Sequence, residues 1–82
     1  MLFDRDPGNL AYARDRILKA VPSLNVSAVH ADFRSVATMV PAGAGPFDML
    51  LADLGFASTQ VDDPARGLAF SQDGPLDMRL DP

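Results

Sequence analysis

Apolar positions along this chain fall into runs whose spacing changes from segment to segment. Leu2-Phe3 followed by Asp4-Arg5-Asp6-Pro7 reads as the end of a buried strand entering a turn, with Asp6 as a helix N-cap and Pro7 at the first helical position. Leu10, Ala13, Ile17, Leu18 and Val21 then recur at helical spacing, while Arg14, Asp15 and Lys19 fall off that stripe and Pro22 ends it. The spacing predicts an amphipathic helix.

Leu24, Val26 and Ala28 alternate with Asn25, Ser27 and Val29, which predicts a short strand. It leads through His30-Ala31-Asp32 into a second helical stretch carrying Phe33, Val36, Ala37 and Val40. After a loop from Pro41 to Pro46, the near-continuous apolar run Phe47-Asp48-Met49-Leu50-Leu51-Ala52 has strand length and stops at Asp53, as expected of a strand covered on both faces. Residues 1–53 thus read as strand, helix, strand, helix, strand. Residues 54–82, with Gly55, Pro64, Gly67, Gly74 and Pro75 and no sustained period, read as one long loop. Alternating strands and helices with short connections imply an α/β fold with a parallel sheet, whose ligands bind beyond the carboxyl ends of the strands. Asp4, Asp32 and Asp53 all fall at such ends.

Composition narrows the function classes. With 48% hydrophobic and 22% charged residues the chain has the balance of a globular protein, although 82 residues place it near the lower edge of independent stability. A net charge of -4 argues against a free-standing nucleic-acid binder, which needs a surplus of Lys and Arg. The absence of cysteine removes disulfides and thiolate zinc sites, and the single His30 supplies no ligand cluster, so no metal is expected. No apolar run approaches the length of a membrane span and Met1-Leu2-Phe3-Asp4 is no signal peptide; a cytoplasmic protein is the expectation.

Several residues have chemistry suited to a site at that edge, and each also has a plainer reading. Asp4 stands where nucleotide-binding α/β proteins place an acid to accept ribose hydroxyls, and equally where an acid caps the next helix. Asp4, Asp6 and Asp15 loosely echo a calcium loop, but Pro7 interrupts it and Asn9 stands where a glycine is needed. His30 reads as a structural strand-end residue with nothing to pair with it. Phe33 suits an adenine face or the core; Asp32 suits the adenine amino group or a helix cap. Asp53-Leu54-Gly55-Phe56 is the most suggestive cluster. An acid at a strand end, a glycine permitting close backbone approach and an aromatic face suit hydrogen bonding to and stacking on a flat ring, which makes Asp53 and Phe56 the catalytic candidates.

The stretch from Asp53 through Gln60 and Asp62 to Arg66-Gly67, followed by Asp73-Gly74-Pro75-Leu76-Asp77-Met78-Arg79-Leu80-Asp81, resembles the MraW/RsmH methyltransferases, whose pattern runs D-L-G-V-S-S-P-Q-L-D, E-R-G-F-S-F and D-G-P-L-D-M-R-M-D. Asp4-Arg5-Asp6-Pro7 is similar to that family's second cofactor motif and His30-Ala31-Asp32-Phe33 to its H-G-N-F segment, so the resemblance covers essentially the whole chain. It implies S-adenosylmethionine as cofactor, with contacts at Asp4, Phe33, Asp53 and Gln60, and N4-methylation of a cytosine in the decoding region of 16S ribosomal RNA, with the small ribosomal subunit as partner. Methyl transfer to an exocyclic amine would also need an extruded base, with Asp53 as acceptor for its NH2 group and Phe56 as its stacking face; placing Asp53 in the cofactor site weakens the first of these roles. Cytosine rather than adenine rests on the resemblance alone. Ala57, Thr59, Leu68-Ala69 and Leu80 depart from the pattern.

The family's glycine-rich G-G-H-S loop, and the strand before it, have no counterpart in the sequence. The resemblance therefore implies an internal fragment: a partial Rossmann-like class I methyltransferase whose parallel sheet lacks its first, glycine-loop strand. In that fold this strand lies between those ending at Asp4 and Asp53. The first two strands of the chain are then expected to pair with each other and the third to lose its neighbour, and activity of the isolated piece is not expected. Two other classes remain open at this point: a different α/β nucleotide-binding module, and an inactive truncated product or interaction protein.

Overall fold

The computed structural model describes residues 1–81. They divide into two units, Met1–Pro46 with Asp81, and Phe47–Leu80.

The first unit is a strand-helix-strand arrangement. Strand β1 (Leu2–Asp4) pairs in parallel with β2 (Ala28–His30) in the register Leu2 with Ala28, Phe3 with Val29 and Asp4 with His30. The ladder continues one residue past each end, from Leu2 N to Ser27 O (2.8 Å) and from Ala31 N to Asp4 O (3.1 Å). Two parallel strands need a crossover, and helix α1 (Pro7–Ala20) supplies it. Its first turn is fixed as the sequence predicts. Asp6 is the N-cap, with extended φ and ψ of -90° and 111°, and its Oδ1 accepts the N–H groups of Gly8 (2.8 Å) and Asn9 (3.2 Å). Pro7 follows at the position where a missing N–H costs nothing. At the other end Val21 N–H reaches Ile17 O, Leu24 N–H turns back to Val21 O, and the helix stops before Pro22. Leu10 is buried, and Ala13, Ile17 and Leu18 are half-buried beside Leu2, Phe3 and Val29. Leu10, 8% exposed, is the sole buried apolar side chain among the described residues, so the hydrophobic contribution to stability is small.

The second strand begins later than its alternation suggests. Only Ala28–His30 face β1, because the three-residue β1 has no further backbone groups to offer residues 24–26. The second helical stretch is a 3-10 turn, Phe33–Ser35, running into a single α-turn, α2 (Val36–Met39).

Two expectations for the rest of the chain are corrected. The strand expected over 47–52 does not form: the described sheet has two strands, and Met49, Leu50 and Leu51 are 85%, 79% and 89% exposed. An apolar run becomes a buried strand only where a neighbouring strand takes its N–H and C=O groups and layers cover its faces, and this segment has neither. The stretch after Asp53 is more than one long loop. It contains α3 (Ser58–Val61) and a 3-10 turn (Pro64–Arg66), both in the second unit.

Candidate functional site

The carboxyl ends of β1 and β2 form a polar edge. Asp4 closes β1, and its Oδ1 accepts Asp6 N–H at 2.8 Å, leaving the second oxygen of this half-buried carboxylate without a protein donor among the described residues. The Asp-Arg-Asp-Pro motif therefore divides two jobs that the sequence leaves ambiguous. Asp6 is 1% exposed and caps α1, while Asp4 keeps an acceptor at the strand edge. A carboxylate in that state suits a ribose hydroxyl.

Asp32, just past β2, is the cap of the following turn: its Oδ1 accepts Arg34 N–H at 2.9 Å. The Arg34 guanidinium also spans both its oxygens, at 3.0 and 2.8 Å, and Arg5 stands 3.7 Å away. With both oxygens engaged, capping is the role realised here. The neighbouring Phe33 is 60% exposed, leaving its ring free to meet a flat ligand and not in the core. His30, read from sequence as unpaired, has two partners. Its Nε2 lies 3.0 Å from Arg5 O and 3.3 Å from an Asp81 carboxylate oxygen.

In the second unit, Asp53 and Phe56 are exposed on the segment leading to α3. Gln60, at the third position of α3, is 3% exposed, and its Oε1 accepts Ala57 N–H at 2.8 Å. This is one half of a capping box. The other half needs an N-cap side-chain oxygen, which Ala57 does not have. Asp4 and Phe33 thus belong to the first unit, and Asp53 and Gln60 to the second.

The remaining motif residues build the loop itself. Gly67 adopts the left-handed conformation (φ 64°) that ends the 3-10 turn after Pro64, whose carbonyl its N–H caps. A Cβ at Gly67 would lie 1.8 Å from Pro75 O, and one at Gly74 would lie 2.4 Å from Pro64 O. The Arg66-Gly67 and Asp73-Gly74-Pro75 blocks are therefore laid backbone against backbone. Sequence reasoning treats these glycines as loop residues; their separation of seven positions gives no sign of the contact.

Two arginine clips share one geometry. Arg79 donates to Asp77 through its backbone N–H (3.1 Å) and its Nε (2.8 Å), as Arg34 does to Asp32. The arginine side-chain hydrogen bond, then the backbone one, holds each carboxyl down to about 2. Each folded pKa lies below its unfolded value, so the stabilisation is fully present above the ordinary carboxylate range and is lost as pH falls through about 2. Carboxyl-carbon shifts followed in an acid titration are expected to show Asp32 and Asp77 protonating near pH 2, well below the ordinary carboxylate range. Arg34→Lys should return Asp32 toward the ordinary range while Asp77 stays low; midpoints indistinguishable from those of free aspartate would rule the clips out.

Among the described residues no helix is long and apolar enough to cross a membrane, and no group of three or more His, Cys, Asp or Glu side chains is placed to hold a metal ion.

Comparison with known proteins places this arrangement. No solved structure matches the chain. Three curated relatives carry the name ribosomal RNA small subunit methyltransferase H. That of Sorangium cellulosum is 46% identical over 79 residues, 95% of this chain and 24% of its own length. That of Leptothrix cholodnii is 46% identical over 80 residues, 96% of this chain and 24% of its own. That of Halorhodospira halophila is 46% identical over 79 residues, 96% and 24%. The chain thus spans about a quarter of the length of these relatives. The model of the MraW methylase family matches residues 1–82, every position from the β1 edge through the glycine-packed loop, and the chain belongs to that family.

Proposed function

We propose that this chain is the cofactor-edge portion of an S-adenosylmethionine-dependent methyltransferase acting on the N4 amino group of a cytosine in the decoding region of 16S ribosomal RNA, in the cytoplasm. Support for the reading comes from the family match across the chain and from the printed names of its relatives. The structural observation that carries it is Asp4, a strand-end carboxylate with one oxygen pinned by Asp6 N–H and the other open.

Two residues of the first unit fit the group: Asp4 accepts the ribose hydroxyls and Phe33 offers its exposed ring to the adenine. Asp53 and Gln60 are cofactor contacts on the strength of the resemblance alone. When bound, the cofactor supplies a methyl group made electrophilic by its sulfonium sulfur. The work left to the protein is alignment: holding the acceptor nitrogen in line with that group and excluding water. The segment that follows Asp53, with α3 and its 3-10 turn, serves in this reading as the active-site segment, in which the exposed Phe56 stacks on the extruded base. Asp53 is assigned to the cofactor in preference to the amine. The net charge of -4 means that most of the RNA grip comes from other surfaces.

The test is an amide correlation spectrum of the labelled chain titrated with S-adenosylhomocysteine, with NAD and calcium as controls. Saturable shifts at Asp4, Phe33, Asp53 and Gln60 are expected, and Asp4→Ala should weaken the binding by roughly tenfold or more, the loss expected for hydrogen bonds to a charged acceptor. Preference for NAD would point instead to a dinucleotide module, and no response to S-adenosylhomocysteine would count against the cofactor assignment.

A further inference from the structure

Three consecutive carbonyls leave β1, and each has a different partner. Asp4 O accepts Ala31 N–H at 3.1 Å in the sheet ladder, and Asp6 O accepts Leu10 N–H at 3.0 Å as the first bond of α1. Between them, Arg5 O belongs to neither element. It faces His30 Nε2 at 3.0 Å. A carbonyl oxygen can only accept, so Nε2 carries the ring proton and the neutral imidazole is the Nε2–H tautomer. Asp81, part of the same unit, sets a second acceptor 3.3 Å from the same nitrogen, which reinforces that tautomer. His30 is also the register partner of Asp4 across the β1–β2 pair.

We propose that His30 is a positioning residue: its Nε2–H holds the Arg5 carbonyl and so fixes the turn between β1 and α1 that presents the Asp4 carboxylate. Asp4 Oδ1 is pinned from within this turn by Asp6 N–H, so the orientation of the open oxygen depends on the path of residues 4–6. The helix cap fixes the far end of that path, and the imidazole fixes its middle. That the Asp4 carboxylate is there to meet a ribose rests on the function proposed above; the clamp itself does not.

The test uses the labelled chain near neutral pH and two variants. Long-range nitrogen–proton correlations of the imidazole are expected to show the Nε2–H tautomer. His30→Gln, whose amide nitrogen still reaches the carbonyl, should leave the amide shifts of Arg5, Asp6 and Gly8 nearly unchanged, whereas His30→Phe, which keeps the ring shape without the donor, should move them. Affinity for S-adenosylhomocysteine should fall by roughly tenfold in His30→Phe and by less than about twofold in His30→Gln. An Nδ1–H or averaged tautomer, or equal losses in the two variants, overturns the proposal. The expected tautomer and shifts in a chain that does not bind S-adenosylhomocysteine would support the clamp and sink the cofactor reading.

Discussion

Gly67→Ala is expected to abolish the ordered packing of the loop from Asp62 to Leu80, the largest effect of any single methyl group added to this chain. Two costs coincide at this position. The left-handed φ of 64° costs a residue with a Cβ about 1 to 2 kcal/mol. The new Cβ would also stand 1.8 Å from Pro75 O and 3.0 Å from Asp77 O, both backbone atoms that no rotamer change can move. The two strands of loop must therefore separate, taking with them the turn that Gly67 N–H closes on Pro64 O. The readout is amide hydrogen exchange and chemical-shift dispersion over residues 62–80, with the resonances of α1 as internal reference. Gly43→Ala is the control. It has a positive φ of 85° but nothing within 4 Å of the added carbon, so it should cost only the conformational term, about 1 to 2 kcal/mol. Gly74→Ala should approach the effect of Gly67→Ala, and the double variant should be far from additive, because both substitutions break one backbone contact. Intact dispersion in Gly67→Ala would show that the two blocks do not pack in solution.

That contact also marks where sequence reading stops. Local signals were enough for α1: an Asp-Pro start, a stripe from Leu10 to Val21 and a closing Pro22 specify a helix with no knowledge of what it packs on. The parallel pairing of β1 with β2 follows, since a helix of that length is the connection parallel neighbours need. The run from Phe47 to Ala52 misled because its pattern reports the burial a strand requires, not whether a neighbour is present to provide it. Helix α3 escaped notice because its start signal is half missing. Gln60 stands at the capping-box position, but Ala57 replaces the hydroxyl residue that would announce it.

The pairing of His30 with Arg5 O and Asp81 spans 25 and 51 positions, distances over which composition and period carry no information. The resemblance fared differently, since it rests on blocks of sequence and not on periodicity. It found the family while leaving open what each residue does physically. The structure supplies part of that. Gly67 and Gly74 are there for backbone approach, Asp32 for the cap and its arginine, and Gln60 in part for the start of α3.

Asp6→Ala is expected to be the most damaging substitution in the first unit. The carboxylate satisfies two of the N–H groups left open at the start of α1, and it does so at 1% exposure, where water is a poor substitute. Loss of such a cap costs about 1 to 2 kcal/mol. That is large for a unit with a single buried apolar side chain among its described residues, and the far-ultraviolet circular dichroism signal of the helix should fall or melt at lower temperature. Asp6→Asn keeps an acceptor oxygen and should retain most of the helix. Asp4→Asn should leave it untouched, because Asp4 takes its hydrogen bond from Asp6 N–H and caps nothing in α1. The three variants together separate the two acids of Asp4-Arg5-Asp6-Pro7. If helix content follows Asp6 alone while S-adenosylhomocysteine affinity follows Asp4 in a chain whose helix is intact, the motif contains one structural and one ligand-facing carboxylate. If both variants lower helix content equally, Asp4 belongs to the cap, and the open oxygen at the end of β1 loses its claim to the ribose.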